Sequence, residues 1–520
     1  MIEPARESHY ADSMMYSRMN ARGAVDLVLL LCVLFPLWLG HIGIDAFHAM
    51  RAAQTDEYDY EGEVRRIAVE PFGGDEQRIR EAEAVWRDLD EAARLHRELL
   101  DGFHDAEADE GWYDTYYRHY AVCNYEEFVA EIRERYADDG AEYVAEEIRR
   151  LDRQREWAGQ LIEMLPESGI IALLERAADA ERSIMPLLDE EQNLTSASAG
   201  QDHRALFRCL DAAKEWAGQR EDWEAYVAYE RLSLALARHW MQQPDSLAWV
   251  QGGATYSGTL RVTREQLARG SMPAEVIREL QRVADEQALP GTISHVLAEQ
   301  RAETLVAFDM YFSVGGIAYI DDAGCFWNLL ALALPRRSTG ERVVNQFYEE
   351  FDRYAALTIA ERLEVQKPWA WSYVRPRSMV GVILQLPLVG VMQTASMAQR
   401  LVQSSELWEM ERLSLRVLMA IELYKAERGA LPADLADLVP DYLDTPPRDP
   451  FDPEGGLLRY RVFETPDAMG RSYLLYSVGR DMTDNGGHIE ADGWPKQALQ
   501  DRYPGTDYIM NDLKHPEESE

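Results

Sequence analysis

Residues 205–240 read ALFRCLDAAKEWAGQREDWEAYVAYERLSLALARHW, and the class of the fold turns on them. Ala205–Ala217 and Trp223–Trp240 each carry apolar residues at intervals of three and four, which puts one apolar face on each of two helices. Between them, Gly218-Gln219-Arg220-Glu221-Asp222 offers a glycine to end the first helix and an aspartate to cap the second. The stretch therefore predicts a helical hairpin.

Working outward, Arg155-Glu156-Trp157-Ala158-Gly159-Gln160 anticipates Lys214-Glu215-Trp216-Ala217-Gly218-Gln219 by 59 residues, an echo that suggests paired helices. Breaks at Pro244-Asp245, Gly252-Gly253, Gly270-Ser271-Met272-Pro273 and Pro290-Gly291 cut the rest into helix-length pieces, so 151–375 is expected to be a bundle of helical hairpins, tetratricopeptide-like. Region 45–150 reads as helical, acidic and aromatic-rich. Val85, Leu89, Ala92, Leu95 and Leu99 form one stripe there, and nine aromatic residues lie between Trp112 and Tyr143. Packing of those rings between helices is the expectation, with a sugar-stacking surface as the alternative.

The 92 Asp and Glu residues against 53 Lys and Arg give a net charge of −39, which repels a nucleic-acid backbone, and no basic cluster offsets it. Nucleic acid is thus excluded as a partner. With 47% hydrophobic and 28% charged residues the chain is neither disordered nor a polytopic membrane protein. Cys32, Cys123, Cys209 and Cys325 are far apart and form no C-x-x-C pair, against a zinc ribbon or a disulfide framework. No H-E-x-x-H, G-x-S-x-G, Walker-type or G-x-G-x-x-G motif occurs, so no catalytic residue is assigned.

Leu27–Ile44 is a run of 18 positions with no formal charge apart from the titratable His41. A helix rising about 1.5 Å per residue crosses a hydrocarbon layer of about 30 Å with 18 to 21 such residues, so 24–44 is expected to be a transmembrane helix. A cleaved signal peptide is the rival, but the 23-residue leader is long and Gly40-His41-Ile42-Gly43 is a poor cleavage site. Arg6, Arg18 and Arg22 precede the span and Arg51 follows it, which favours a cytoplasmic leader at 1–23 and an extracytoplasmic, periplasmic body on the inner membrane. Residues 378–399 also lack charge, but Gln385, Pro387 and Gln393 favour a buried helix over a second span.

The C-terminal stretch 376–498 has a different grammar. A helix over Leu407–Tyr424 is expected to end at Gly429. One or two turns follow between Pro432 and Pro440. In Pro446-Pro447-Arg448-Asp449-Pro450-Phe451-Asp452 two aspartates can bond nearby amides. Leu457–Phe463 and Ser472–Val478 predict a hairpin, and Gly479–Trp494 is a glycine-rich acidic loop. Residues 499–520 read as a polar tail.

This order resembles the globular domain of the type II secretion major pseudopilin: Tyr424, Gly429, Pro432 and Leu435, then Pro447, Asp449 and Pro450, then Tyr460, and the closing Ser477, Gly479, Asp481, Gly486, Gly487 and Asp492. The resemblance covers about 90 of 520 residues. It implies an α+β module whose closing loop holds calcium. Carried over, Asp481 and Asp492 match best as carboxylate ligands, Glu490 stands where the family has Asp, Asp484 is a further candidate, and Leu475 and Val478 would lend backbone carbonyls. Such a dication takes six to eight oxygens at about 2.3–2.6 Å. The family's N-terminal cleavable Gly-Phe-Thr-Leu-Ile-Glu-type segment is missing, and some 360 residues separate 27–44 from the module. The helical body resembles domains of exported proteins of planctomycete-type bacteria, with the Gln243-Pro244 break and the Glu299–Thr304 segment in similar positions.

The expectation is therefore a mainly α, single-pass, extracytoplasmic protein that acts structurally or by binding protein partners. Two alternatives accompany it: an exported enzyme using the carboxylates Asp321 and Asp322, and a helical receptor for peptides or glycans.

Overall fold

Local sequence signals are answered by helix after helix. The computed structural model describes residues 59–103, 125–136, 140–186, 195–289, 293–312, 337–365, 396–467, 470–488 and 505–511. Its helices are α1 (Tyr60–Val69), α2 (Glu76–Phe103), α3 (Tyr125–Arg135), α4 (Ala141–Met164), α5 (Ile170–Asp179), α6 (Thr195–Gln219) and α7 (Trp223–Met241). They continue with α8 (Ser246–Ala268), α9 (Ala274–Glu286), α10 (Ser294–Phe312), α11 (Arg337–Ala355), α12 (Ile359–Glu364) and α13 (Ser396–Arg428). The strands β1 (Arg459–Val462), β2 (Tyr473–Ser477) and β3 (Tyr508–Ile509) complete a mainly helical protein.

The chain divides into two compact units that interleave along the sequence. One comprises Met1–Ile67, Ser294–Leu357 and Gln366–Arg400; the other comprises Ala68–Ile293, Thr358–Val365 and Leu401–Glu520.

In the first unit α10 packs on α11, with Val296, Leu297 and Leu305 buried on one helix and Val344, Phe347 and Phe351 on the other. The Thr304 and Tyr348 hydroxyls meet at 2.9 Å inside that contact. Tyr60 of α1 donates to Glu299 at 3.0 Å, and Arg301 pairs with Glu63 at 3.1 Å.

In the second unit α6 and α7 form the hairpin expected from 205–240, and α8 packs on both. Asp222 caps α7 by accepting from the Ala225 amide at 3.2 Å. The end of α6 differs from expectation. The left-handed residue is Glu221 (φ 57°), not Gly218. Gly218 lies inside α6, where a Cβ would come within 3.1 Å of Gln266 Oε1 and 3.2 Å of Tyr226. The other copy of the echo is packed for the same reason: a Cβ on Gly159 would meet the Trp216 ring at 2.7 Å, and Arg155 donates to Gln219 Oε1 at 2.8 Å. The two echo segments thus touch each other.

Gly252-Gly253 is likewise not a break but the middle of α8. A Cβ on Gly252 would sit 2.8 Å from the Ala237 carbonyl, and one on Gly253 would fall 1.9 Å from the Trp408 ring. The buried stripe of α2 runs through Ala82, Trp86, Leu89, Ala92, Ala93, His96 and Leu100, so Leu89 and Ala92 are buried as expected, but it is rotated so that Val85, Leu95 and Leu99 are half-buried. Trp86 determines the rotation: it is the largest side chain on the helix, and it lies against His203 and Trp240. Of the aromatic-rich region, Tyr125 and Phe128 pack beside Val129 and Leu151 between α3 and α4, as expected.

The C-terminal part follows its expected order. α13 ends at Gly429 (φ +72°), whose missing Cβ permits the left-handed turn. Asp434 caps the 3-10 turn Leu435–Leu438. β1 and β2 pair antiparallel with Arg459 opposite Tyr476, and β3 adds to the far edge of β2. The expected polar tail at 499–520 is different in its described part. Tyr508, Ile509 and Met510 are all buried, and Tyr508 and Met510 join Val417, Ile421, Phe451 and Leu475 in one core. Ile359 of α12 enters the same core.

No described helix is long and apolar enough to cross a membrane. Residues 24–44, 378–395, Trp112 to Tyr120, Asp321 and Asp322 lie outside the described residues.

Candidate functional site

The closing loop of the C-terminal module leaves β2 at Ser477, and the P-x-D-P turn holds it there. Asp449, 2% exposed, accepts from Ser477 Oγ at 2.7 Å, from the Val478 amide at 2.9 Å and from the Phe451 amide at 3.0 Å. Burial pushes its carboxyl up, and these donors pull it back. Beyond it, Arg480 turns inward to Glu406 of α13, which also takes Arg362 Nε at 2.9 Å. All three side chains are at most 8% exposed. A buried carboxylate shared by two guanidiniums offsets its desolvation only because both bonds are made, and it ties the loop to α12 and α13.

Asp481 accepts from the Thr483 amide at 2.9 Å, from Asn485 Nδ2 at 3.2 Å and from the Gly505 amide at 2.6 Å. Asp484 has other commitments. It takes the Tyr476 hydroxyl and the Gly486 amide on one oxygen, both at 2.9 Å, and Arg459 Nε on the other at 3.0 Å. Burial opposes the shift, but the amide, the hydroxyl and the guanidinium hold the Asp484 carboxyl below the usual carboxylate range. Arg459 also pairs with Asp452 at 2.9 Å, so a fixed cation stands between an acid of the loop and one of the P-x-D-P turn.

Leu475 and Val478 are buried. The Leu475 carbonyl accepts from the Met510 amide at 2.9 Å, and Val478 spends its amide on Asp449. Glu490 and Asp492 lie outside the described residues. Among the described residues no group of three or more His, Cys, Asp or Glu is placed to hold a metal ion. Asp481 keeps room for a hard dication on Oδ1, which accepts one hydrogen bond, while Oδ2 already takes two donors, and no cation pairs with it among the described residues. Asp484 does not fit, because Arg459 already occupies the position a dication would compete for. The Leu475 carbonyl is spent on the sheet.

Asp507 is the residue that the sequence did not reveal. Fully buried, it receives the amides of Asn485 at 3.3 Å, Gly487 at 2.7 Å and His488 at 3.3 Å. Burial pushes its carboxyl up against those three amides. It closes the glycine loop with the chain's own carboxylate, the arrangement for which the resemblance invokes calcium. Its signal was the sequence Gly505-Thr506-Asp507-Tyr508-Ile509-Met510, a glycine followed by an apolar triplet inside an otherwise polar stretch.

The helical body has a second buried polar centre. Lys214, fully enclosed, donates to Glu230 Oε2 at 2.7 Å, to the Thr259 carbonyl at 2.7 Å and to Thr263 Oγ1 at 3.3 Å. Thr259 in turn donates to Asp211 at 2.9 Å, whose carboxyl burial pushes up against the pull of Lys214. Nearby, Trp240 Nε1 donates to His203 Nδ1 at 3.0 Å, so the ring proton sits on Nε2 and goes to Asp90 at 2.9 Å. Lys214, Glu230 and His203 are at most 1% exposed, so a substrate cannot reach them, and they fix the register of α2, α6, α7 and α8. Compared with known protein families, with curated proteins and with solved structures, the chain matches none.

Proposed function

We propose that this protein is a membrane-anchored scaffold of the extracytoplasmic face of the inner membrane, held by residues 24–44 and engaging protein partners, with a pseudopilin-like C-terminal module as one of its structural parts. The observation that carries the reading is the way the module is bound in. Trp408 of α13 packs at a tilt against Trp249, ring centroids 4.5 Å apart, and fills the notch at Gly253, while Arg480 and Glu406 lock the closing loop to the same helix. A module so attached serves its own chain, and a free subunit of a secretion pseudopilus would need that helix for assembly. The resemblance supports work beside a secretion machine rather than as its filament.

In this reading calcium is held by Asp481 with Glu490 and Asp492. A bound dication would rigidify the loop by favouring the folded state alone. Membrane fractionation of the full chain, and of a form starting at residue 45, tests the anchor: the first is expected to stay in carbonate-washed membranes and the second to be released. Equal release of both would remove the anchor. Calcium added to the detergent-solubilised full chain is expected to raise its melting temperature, and Asp481→Ala is expected to cancel the rise. An unchanged melting temperature in the wild type would remove the metal.

A further inference from the structure

Asn485-Gly486 is the one Asn-Gly pair of the chain; the other six asparagines precede Ala, Tyr, Leu, Leu, Gln and Asp. Such a pair can modify itself, because glycine has no Cβ to obstruct its own amide nitrogen as it attacks the preceding side chain. The Gly486 nitrogen, having lost its proton to solvent, bonds to Cγ of Asn485. The side-chain nitrogen leaves as ammonia, and a five-membered succinimide remains. Water then opens the ring at one carbonyl or the other, which yields aspartate or isoaspartate. Both reacting groups belong to one short stretch of chain, so the step needs no enzyme and no cofactor, only a conformation that brings nitrogen and carbon together.

Gly486 is exposed and Asn485 half-buried, so water reaches the pair. The closed loop nevertheless occupies every group the reaction uses. The Gly486 amide donates to Asp484 Oδ1 at 2.9 Å, and losing its proton there would set a second negative charge against that carboxylate. Asn485 Nδ2, the leaving nitrogen, donates to the Thr483 carbonyl at 2.9 Å and to Asp481 Oδ2 at 3.2 Å. The Asn485 amide is held by Asp507 Oδ1 at 3.3 Å. Attack therefore requires these bonds to open together, a local event that leaves the helices intact.

The same bonds make the change hard to accommodate once it has happened. A carboxylate accepts hydrogen bonds and donates none, so aspartate at position 485 would lose both bonds of Nδ2. It would also set two anions across the place where a 3.2 Å bond to Asp481 now stands. Isoaspartate lengthens the main chain by one carbon just before Gly486, which displaces the Gly487 and His488 amides that Asp507 gathers.

We propose that Asn485 is a self-modification site gated by the closing loop: it converts to aspartate or isoaspartate from the opened loop, and the product prevents the loop from closing in its original form. The proposal uses neither the membrane segment nor calcium, and a chelator in the test keeps it separate from the function proposed above.

Peptide mapping by mass spectrometry on the detergent-solubilised full chain, aged with chelator at mildly alkaline pH, reads conversion at every asparagine. An isoaspartyl methyltransferase assay identifies the isoaspartate. In the urea-unfolded chain Asn485 is expected to convert faster than any other asparagine. In the folded chain its rate is expected to fall by about 10–100-fold, the range of one hydrogen bond to a charged group. Asp484→Asn keeps the shape of the side chain and removes the charge that holds the Gly486 amide, and is expected to raise the folded rate by about 3–10-fold. Asn485→Asp is expected to speed hydrogen exchange of the amides of residues 485–488 by about tenfold and to leave exchange in α6–α8 unchanged. Equal rates in the folded and unfolded chains, no preference for Asn485 in the unfolded chain, or unchanged exchange in Asn485→Asp would each overturn the proposal.

Discussion

His239 is enclosed completely in α7, donates from Nε2 to the Ala177 carbonyl at 2.7 Å and stands beside the buried guanidinium of Arg238. Burial, together with that neighbouring charge, pushes its pKa down to about 3, and burial alone pushes His96 down to about 4. Both rings are therefore neutral in the folded state at pH values where an unfolded histidine, with a pKa of about 6.5, is charged. Their contribution to stability is complete above pH 6.5. It is lost as the pH falls toward the folded values, because the unfolded chain then binds the extra protons. The expected slope is about 1.4 kcal/mol per pH unit for each ring between pH 6 and pH 4.5. Urea unfolding across that window is expected to give a slope smaller by about one proton in His239→Gln than in the wild type, and an unchanged slope would contradict the assignment. The residues around His239 explain why it is kept. Arg238 donates to the carbonyls of Ala180 and Glu181 at 2.7 and 3.1 Å, and Gln243 receives the Met185 amide at 2.8 Å while donating to Ser183. One end of α7 thus satisfies the backbone that follows α5, where no helix or strand would do so.

Among the elements, α8 shows what two adjacent glycines accomplish when they do not break a helix. They cost α8 about 1 kcal/mol each in helix propensity relative to alanine. In return the backbone approaches Ala237 on one side, and on the other it admits the edge of Trp408. Gly253→Ala is expected to destabilise the protein by about 1–3 kcal/mol through overpacking, despite the better helix propensity of alanine. The same change in a Trp408→Leu background is expected to cost less, and the difference in unfolding free energy between the two backgrounds measures the coupling. An equal cost in both would place the strain elsewhere. The Asp222 cap of α7, the end of α13 at Gly429 and the β1–β2 pair were legible in the sequence because each depends on residues within a few positions of one another. The glycines of 218 and 252–253 were not. A local rule reads glycine as a break, and only a partner helix distant in sequence turns it into a contact.

For the molecule as a whole, the boundaries of the two units are the least local property. Each is assembled from three separated stretches, and Thr358–Val365 belongs with residues more than 35 positions further on. The C-terminal strand extends the same pattern. Ending the chain at residue 504 would remove β3, three buried apolar side chains and the Asp507 carboxylate that gathers three amides of the glycine loop. At about 1.5–3 kcal/mol for each buried apolar side chain, the loss is expected to exceed about 5 kcal/mol, visible as a lower urea midpoint for the second unit. A tail with no structural part would leave the midpoint where it is.

The sequence by itself determined the helical class, the hairpin of α6 and α7, the capped turns and the strand pair, since propensity, capping and alternation act over a few residues. It also set the acidic net charge of −39. Tertiary structure alone decided that Asp507 closes the loop, that Asp484 answers to Arg459, and that Lys214 and Glu230 are sealed together. Those pairings join positions from 16 to 25 residues apart. Which acid meets which base is settled by burial, where leaving a charge or an amide unpaired costs more than any local preference returns.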